Sequence, residues 1–169
     1  LQDMCRGWPV QQVREIVAET LHELIDPIVY DEAVELIEHH REAGRDVVIV
    51  SSSGAEVVEP IGVMLGADYV VATQMVVEDG RYTGEIAYYA YGPTKAEAMV
   101  DLAERRGYDL KASYAYSDSQ TDLPMLEVVG HPHDLGNVLG RDVLGHEVEG
   151  LDGLGVPRDG WSVHVAAPL

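Results

Sequence analysis

One short stretch constrains the fold more than any other. Asp46-Val47-Val48-Ile49-Val50 is a continuous apolar run rich in β-branched residues, and Ser51-Ser52-Ser53-Gly54 follows it directly. A run that is apolar at successive positions, rather than alternating, predicts a strand buried on both faces. From Ala55 to Leu65 the apolar residues Val57, Val58, Ile61, Met64 and Leu65 fall on a helical stripe that Gly66 terminates, with Pro60 as a possible kink. Strand, turn and helix in that order make half of a parallel crossover unit.

The flanking sequence extends the pattern. Val10 to Ile25 has one apolar stripe at helical spacing; Pro27 stops it, and Asp31 opens a second helix through Ala43 that Gly44 ends. Tyr69-Val70-Val71-Ala72 reads as a second strand. Met75 to Thr83 reads as a hairpin, since Asp79-Gly80 supplies the positive φ angles of a type I′ turn. Thr94-Lys95-Ala96-Glu97 has the spacing of a capping box and opens a helix that ends at Gly107. Ala112 to Tyr116 predicts a third strand, and a short helix is expected around Leu123 to Val128. Alternating strands and helices imply an α/β, Rossmann-like, mainly parallel sheet, with the ligand beyond the carboxyl ends of its strands. After Gly130 the pattern weakens: seven glycines lie from Gly136 to Gly160, and the tail from 133 to 169 has no convincing period.

Composition narrows the partners. The 169 residues carry 11 Lys and Arg against 30 Asp and Glu, a formal net charge of −19, which repels nucleic acid and anionic membrane alike. Any bound phosphate must therefore be held by local cations, from lysine or a metal. With Cys5 as the sole cysteine, no internal disulfide can form, which fits a reducing, cytoplasmic compartment. The chain opens on Leu1-Gln2-Asp3-Met4, consistent with a fragment, a processed product or an alternative start.

Three stretches carry candidate chemistry. Ser51, with Ser52 in the turn after it, can offer hydroxyl and backbone N–H groups to phosphate oxygens at a helix N-terminus, although serine is also an ordinary helix cap. Lys95 lies in the first turn of its helix, against the macrodipole, which suits a cation facing an anion but also a solvated side chain. Ser117-Asp118-Ser119-Gln120-Thr121-Asp122 places two carboxylates just after a strand: Asp118 as a hard oxygen ligand for magnesium and Asp122 as its support. Asp118 or Thr121 could equally cap the following helix. His39-His40 and His131-Pro132-His133 lack the spacing of metal pairs and read as surface histidines; Tyr88, Tyr89 and Tyr91 read as packing or a site wall. Gly92-Pro93-Thr94-Lys95 lacks the glycine spacing of a phosphate loop.

Taken in order, Val47-Val48-Ile49-Val50-Ser51, Lys95 and Ser117 to Asp122 resemble the second, third and fourth motifs of the haloacid dehalogenase superfamily. Gly66-Ala67-Asp68, Gly80 to Gly84 and Asp122-Leu123-Pro124-Met125-Leu126 are similar to its phosphoserine phosphatase branch. The resemblance covers roughly Gly7 to Pro132. It implies a magnesium-dependent phosphomonoester hydrolase acting on a small phosphorylated metabolite through an aspartyl-phosphate. Ser51 and Ser52 would bind phosphate, Lys95 would neutralise nucleophile and phosphoryl charge, Asp118 would hold Mg2+, and Asp122 would support metal and lysine. Residues 1–30 would be part of a helical cap and 31–132 the α/β core. The family's first motif, Asp-x-Asp-x-Thr on an N-terminal strand, has no counterpart before the cap, so the nucleophile lies outside this chain. The chain alone is then expected to turn over little. Without that central strand, the strands ending at Ser51 and Ser117 would keep unpaired backbone groups. A non-catalytic phosphate-binding or interaction module on the same fold is the competing expectation.

Overall fold

A computed structural model describes residues 5–25, 31–134 and 163–165. The first helix, α1, spans Val10–Ile25, and α2 spans Asp31–Glu42. Strand β1 (Val47–Gly54) passes straight into α3 (Ala55–Leu65), whose C-cap Gly66 takes the left-handed conformation at φ 71°. Strands β2 (Tyr69–Glu78) and β3 (Arg81–Tyr88) form the expected hairpin, and both turn residues, Asp79 at φ 48° and Gly80 at φ 73°, have positive φ. Helix α4 (Pro93–Arg106), β4 (Tyr114–Ser117), α5 (Leu123–Leu126), β5 (His131–Asp134) and β6 (Val163–Val165) complete the order.

The strands make one sheet in the order β3-β2-β1-β6-β4-β5. β1 pairs parallel with β2 and β4 parallel with β5, while β6 runs antiparallel to both β1 and β4. Four of the six strands, β2, β1, β4 and β5, therefore point the same way, as an α/β sheet requires.

Strand β1 is buried on both sides because its apolar run is continuous. Val48 and Val50 face one layer, with Ala96, Met99 and Leu102 of α4 and Met125 and Leu126 of α5. Val47 packs with Ile37 of α2 and Tyr116, and Ile49 with Val58 of α3. Helix α1 lies on α3, with Leu21 against Ile61.

Three local expectations change. β1 extends through the serines to Gly54, and its register with β2 breaks between Ser51 and Gly54, so the turn is a bulged strand end rather than a separate loop. Helix α4 begins at Pro93 with Gly92 as its N-cap and no side-chain cap bond. Thr94 is thus not the cap of a capping box: proline is preformed for the first helical position, and the threonine hydroxyl turns back to Tyr89 and Tyr91. The gap expected between β1 and β4 is filled by β6, which matches Val47, Val48 and Ile49 to Val165, His164 and Val163 and Tyr114 and Ala115 to Val165 and His164. This short strand comes from the glycine-rich tail, where no periodicity announces it, and β5 crosses the boundary expected at residue 133.

Candidate active site at the carboxyl edge of the sheet

β1 and β4 run in the same direction, so Ser51 and Asp118 lie at the same edge of the sheet. Hydrogen bonds tie the turn that leads into α4 to the end of β1, and Lys95 of α4 to the end of β4. Thr73 of β2, 7% exposed, donates its hydroxyl to the Ser52 carbonyl at 2.8 Å and accepts from the Ala90 N–H at 3.2 Å. The turn after Ala90 is fixed by Thr94, whose hydroxyl accepts from the Tyr91 N–H at 2.9 Å. Lys95 is the next residue. A Cβ added to Gly92 would stand 3.8 Å from the Thr121 carbonyl, which sets this turn against the loop carrying the two aspartates.

Lys95 is 5% exposed and Asp122 1%. The Lys95 Nζ donates to Asp122 Oδ1 at 2.7 Å, and the Ser117 hydroxyl donates to Asp122 Oδ2 at 2.9 Å. Each carboxylate oxygen of Asp122 thus accepts one hydrogen bond, one from the lysine and one from the serine. One of the three N–H donors of Lys95 is used; among the described residues the others have no hydrogen-bond partner. Donors of a buried ammonium that find no partner are costly out of water, so a further acceptor at Lys95 would be favourable.

The remaining candidates lie at the ends of β1 and β4. Ser51 is half-buried, and its Oγ accepts from the Ser53 N–H at 3.2 Å, leaving its own O–H to donate; it makes no hydrogen bond to Lys95 or Asp122. Ser52 has an exposed side chain and enters through its carbonyl. Asp118 is half-buried in the loop leaving β4. Neither Asp118 nor Thr121 caps α5: its N-cap position is Asp122, with no side-chain cap bond, and Ser119 caps the turn before it, accepting from the Thr121 N–H at 3.3 Å. Among the described residues, no group of three or more His, Cys, Asp or Glu side chains could hold a metal ion.

Sequence reasoning missed Thr73, Thr94 and Ser117 as the positioning residues. Nothing local separates these hydroxyls from ordinary strand or helix residues: Thr73 finds its partners in Ser52 and Ala90, far along the chain, while Thr94 and Ser117 bond close by, to Tyr89 and Tyr91 and to Asp122, in turns that carry no motif of their own. It also misread His40 as a surface histidine. His40 is 2% exposed and its Nε2 lies 2.9 Å from the Tyr116 hydroxyl. Arg45 can only donate, and its Nη1 reaches His40 Nδ1 at 3.2 Å. Nδ1 is thus the acceptor, and the neutral ring carries its proton on Nε2. Burial, then the Arg45 charge, lower the His40 pKa to about 4.

The chain matches the family model of haloacid dehalogenase-like hydrolases over residues 1–127. It belongs to that family. A Streptomyces azureus protein named "Inhibition of morphological differentiation protein" is 73% identical over 134 residues, which cover 79% of this chain and 48% of that protein. A "Probable phosphatase" of Mycobacterium tuberculosis is 59% identical over 131 residues, 78% of this chain and 46% of the relative. The chain thus spans about half the length of these relatives. Among solved structures, a Bordetella pertussis protein of unknown function superposes with a TM-score of 0.71 at 27% identity, covering 78% of this chain and 60% of the other. A phosphoserine phosphatase captured as a phospho-aspartyl intermediate analogue gives 0.57 at 25% identity, with the same coverage. Among the described residues, no helix is long and apolar enough to cross a membrane.

Proposed function

We propose that this chain supplies the phosphate-binding and charge-neutralising half of a magnesium-dependent phosphomonoester hydrolase of the phosphoserine phosphatase type. The observation that carries the reading is Lys95: a buried ammonium, oriented by Asp122 and Ser117, with donors to spare at the carboxyl edge of the sheet. In this reading Lys95 donates to a phosphoryl oxygen and stabilises the charge carried by the transferring group. The Ser51 hydroxyl, with Ser52 beside it, donates to a second oxygen. Asp122 keeps Lys95 in place.

Asp118 offers a half-buried carboxylate at the strand end, the hard oxygen donor that magnesium takes, and magnesium commonly keeps several waters beside only one or two carboxylates. In this reading Asp118 would be the ligand from this chain, and water and groups from outside these residues would complete the shell. Bound there, magnesium would neutralise phosphoryl charge. The reacting aspartate comes from outside these residues; it attacks phosphorus, the alcohol leaves, and water then hydrolyses the acyl phosphate. Residues 1–30 are assigned to a helical cap, 31–132 to the α/β core and 133–169 to a divergent tail. The substrate is a small phosphorylated metabolite, neither nucleic acid nor membrane is a partner, and the compartment is cytoplasmic, in keeping with the −19 charge and the single Cys5.

p-Nitrophenyl phosphate hydrolysis with magnesium tests this. The 169-residue chain should turn over little, whereas a form extended upstream to the length of its relatives should be active and lose at least about a hundredfold in kcat on Lys95→Met. Robust turnover by the short chain, abolished by Asp118→Asn, would refute its incompetence. Phosphate binding without hydrolysis by the extended form would instead support a non-catalytic phosphate-binding module.

A further inference from the structure

The rings of Tyr89 and Tyr91, read from the sequence as packing or a site wall, take no part in the Lys95–Asp122–Ser117 hydrogen bonds. Their rings are stacked, with centroids 5.3 Å apart and planes within 5°, yet they remain 49% and 45% exposed. Aromatic rings stabilise a fold by leaving water, and Tyr82, Tyr108 and Tyr116 of this chain do so. The exposed pair is not carried on a loose segment. Ala90, between the two, is fully buried and bonded to Thr73, while the Thr94 hydroxyl donates to the carbonyls of Tyr89 and Tyr91. The Tyr88 hydroxyl donates to the Thr94 carbonyl at 3.0 Å. One rigid turn therefore presents a flat aromatic surface and, at its next residue, the buried cation Lys95.

We propose that Tyr89 and Tyr91 form the leaving-group subsite of the phosphoryl centre, and that the preferred phosphomonoesters carry a planar aromatic or heteroaromatic ring on the alcohol side. The proposal rests on the reading of Lys95 as the phosphate anchor. A parallel pair exposes a face on which a third ring can continue the stack, whereas a flexible aliphatic alcohol gains less there. Stacking of a planar group on an aromatic side chain is large enough to give about a tenfold preference.

Calorimetric titration of the 169-residue chain with inorganic phosphate, glycerol phosphate and phenyl phosphate tests the assignment. Phenyl phosphate should bind about tenfold more tightly than the other two. The double substitution Tyr89→Ala/Tyr91→Ala should bring it down to their level while leaving inorganic phosphate unchanged. Tyr89→Phe/Tyr91→Phe, which keeps both rings, should retain the preference, and unchanged phosphate binding by either variant shows that it is folded. Equal affinities for the three ligands in the unsubstituted chain, or a preference that survives the alanines, would overturn the subsite alone. Failure of inorganic phosphate to bind at all would overturn the phosphate anchor and the subsite with it.

Discussion

An ammonium 2.7 Å from a carboxylate, both almost out of water, is expensive to desolvate and strongly interdependent. Removing one partner strands the other. Lys95→Met should therefore destabilise the chain by about 3 kcal/mol in urea unfolding, and Lys95→Met with Asp122→Asn by clearly less than the sum of the singles. Strict additivity would mean that the pair is not coupled. His40 gives a pH prediction of definite sign. Arg45 from the turn after α2, His39 of α2, Tyr114 and Tyr116 of β4 and His133 of β5 face its ring. Its folded pKa, about 4, lies below the unfolded 6.5, so between these values the unfolded chain binds more protons. The stability contributed by neutral His40 is complete above about pH 6.5 and is lost as pH falls toward 4, by on the order of 3 kcal/mol at most. His40→Gln should flatten that part of the curve of unfolding free energy against pH. The same dependence in the variant would assign it to other groups.

Elements form where local rules are strong, and those were readable. The continuous run of β1, the apolar stripes of α1 and α3 and the Asp79-Gly80 turn each encode their conformation within a few residues. Weaker local signals and long-range contacts decided the rest. Pro93 set the start of α4 and freed Thr94 to tie down the preceding turn, and the order of motifs pointed to Lys95 and Asp122 while the hydroxyls that hold their surroundings stayed silent. The link from α5 to β5 shows a similar long-range constraint. The Gly130 N–H donates to the Leu110 carbonyl at 2.8 Å, and a Cβ there would stand 1.8 Å from the carbonyl oxygen of Lys111. Backbone cannot yield as a side-chain tip can. Gly130→Ala should cost about 3 kcal/mol in thermal or urea unfolding. Gly107→Ala, with positive φ at 79° but nothing within 4 Å, should cost only about 1 kcal/mol. Equal losses would remove the steric argument.

Across the whole molecule, two halves of a sheet meet through three residues. β6 lies between β1 and β4, so it pairs on both sides and supplies the continuity that the sequence alone left open. His164→Pro removes a backbone donor from the middle of that strand. Hydrogen exchange should then accelerate in β1 from Val47 to Ile49 and in β4 at Tyr114 and Ala115, with little change in the β2-β3 hairpin. Protection unchanged in β1 and β4 would mean that β6 does not bridge them. The site itself depends on this frame, since the strand ends of β1 and β4 set where Ser51, Ser117 and Asp118 stand relative to Lys95. The most direct measurement is inorganic phosphate binding, by phosphorus-31 NMR, to the unsubstituted chain, to Lys95→Met and to Lys95→Met/Asp122→Asn, in which the buried pair is neutral. A charge-assisted bond to the ammonium predicts at least about a tenfold loss in both variants. Phosphate bound equally well by the double variant would contradict Lys95 as the anchor.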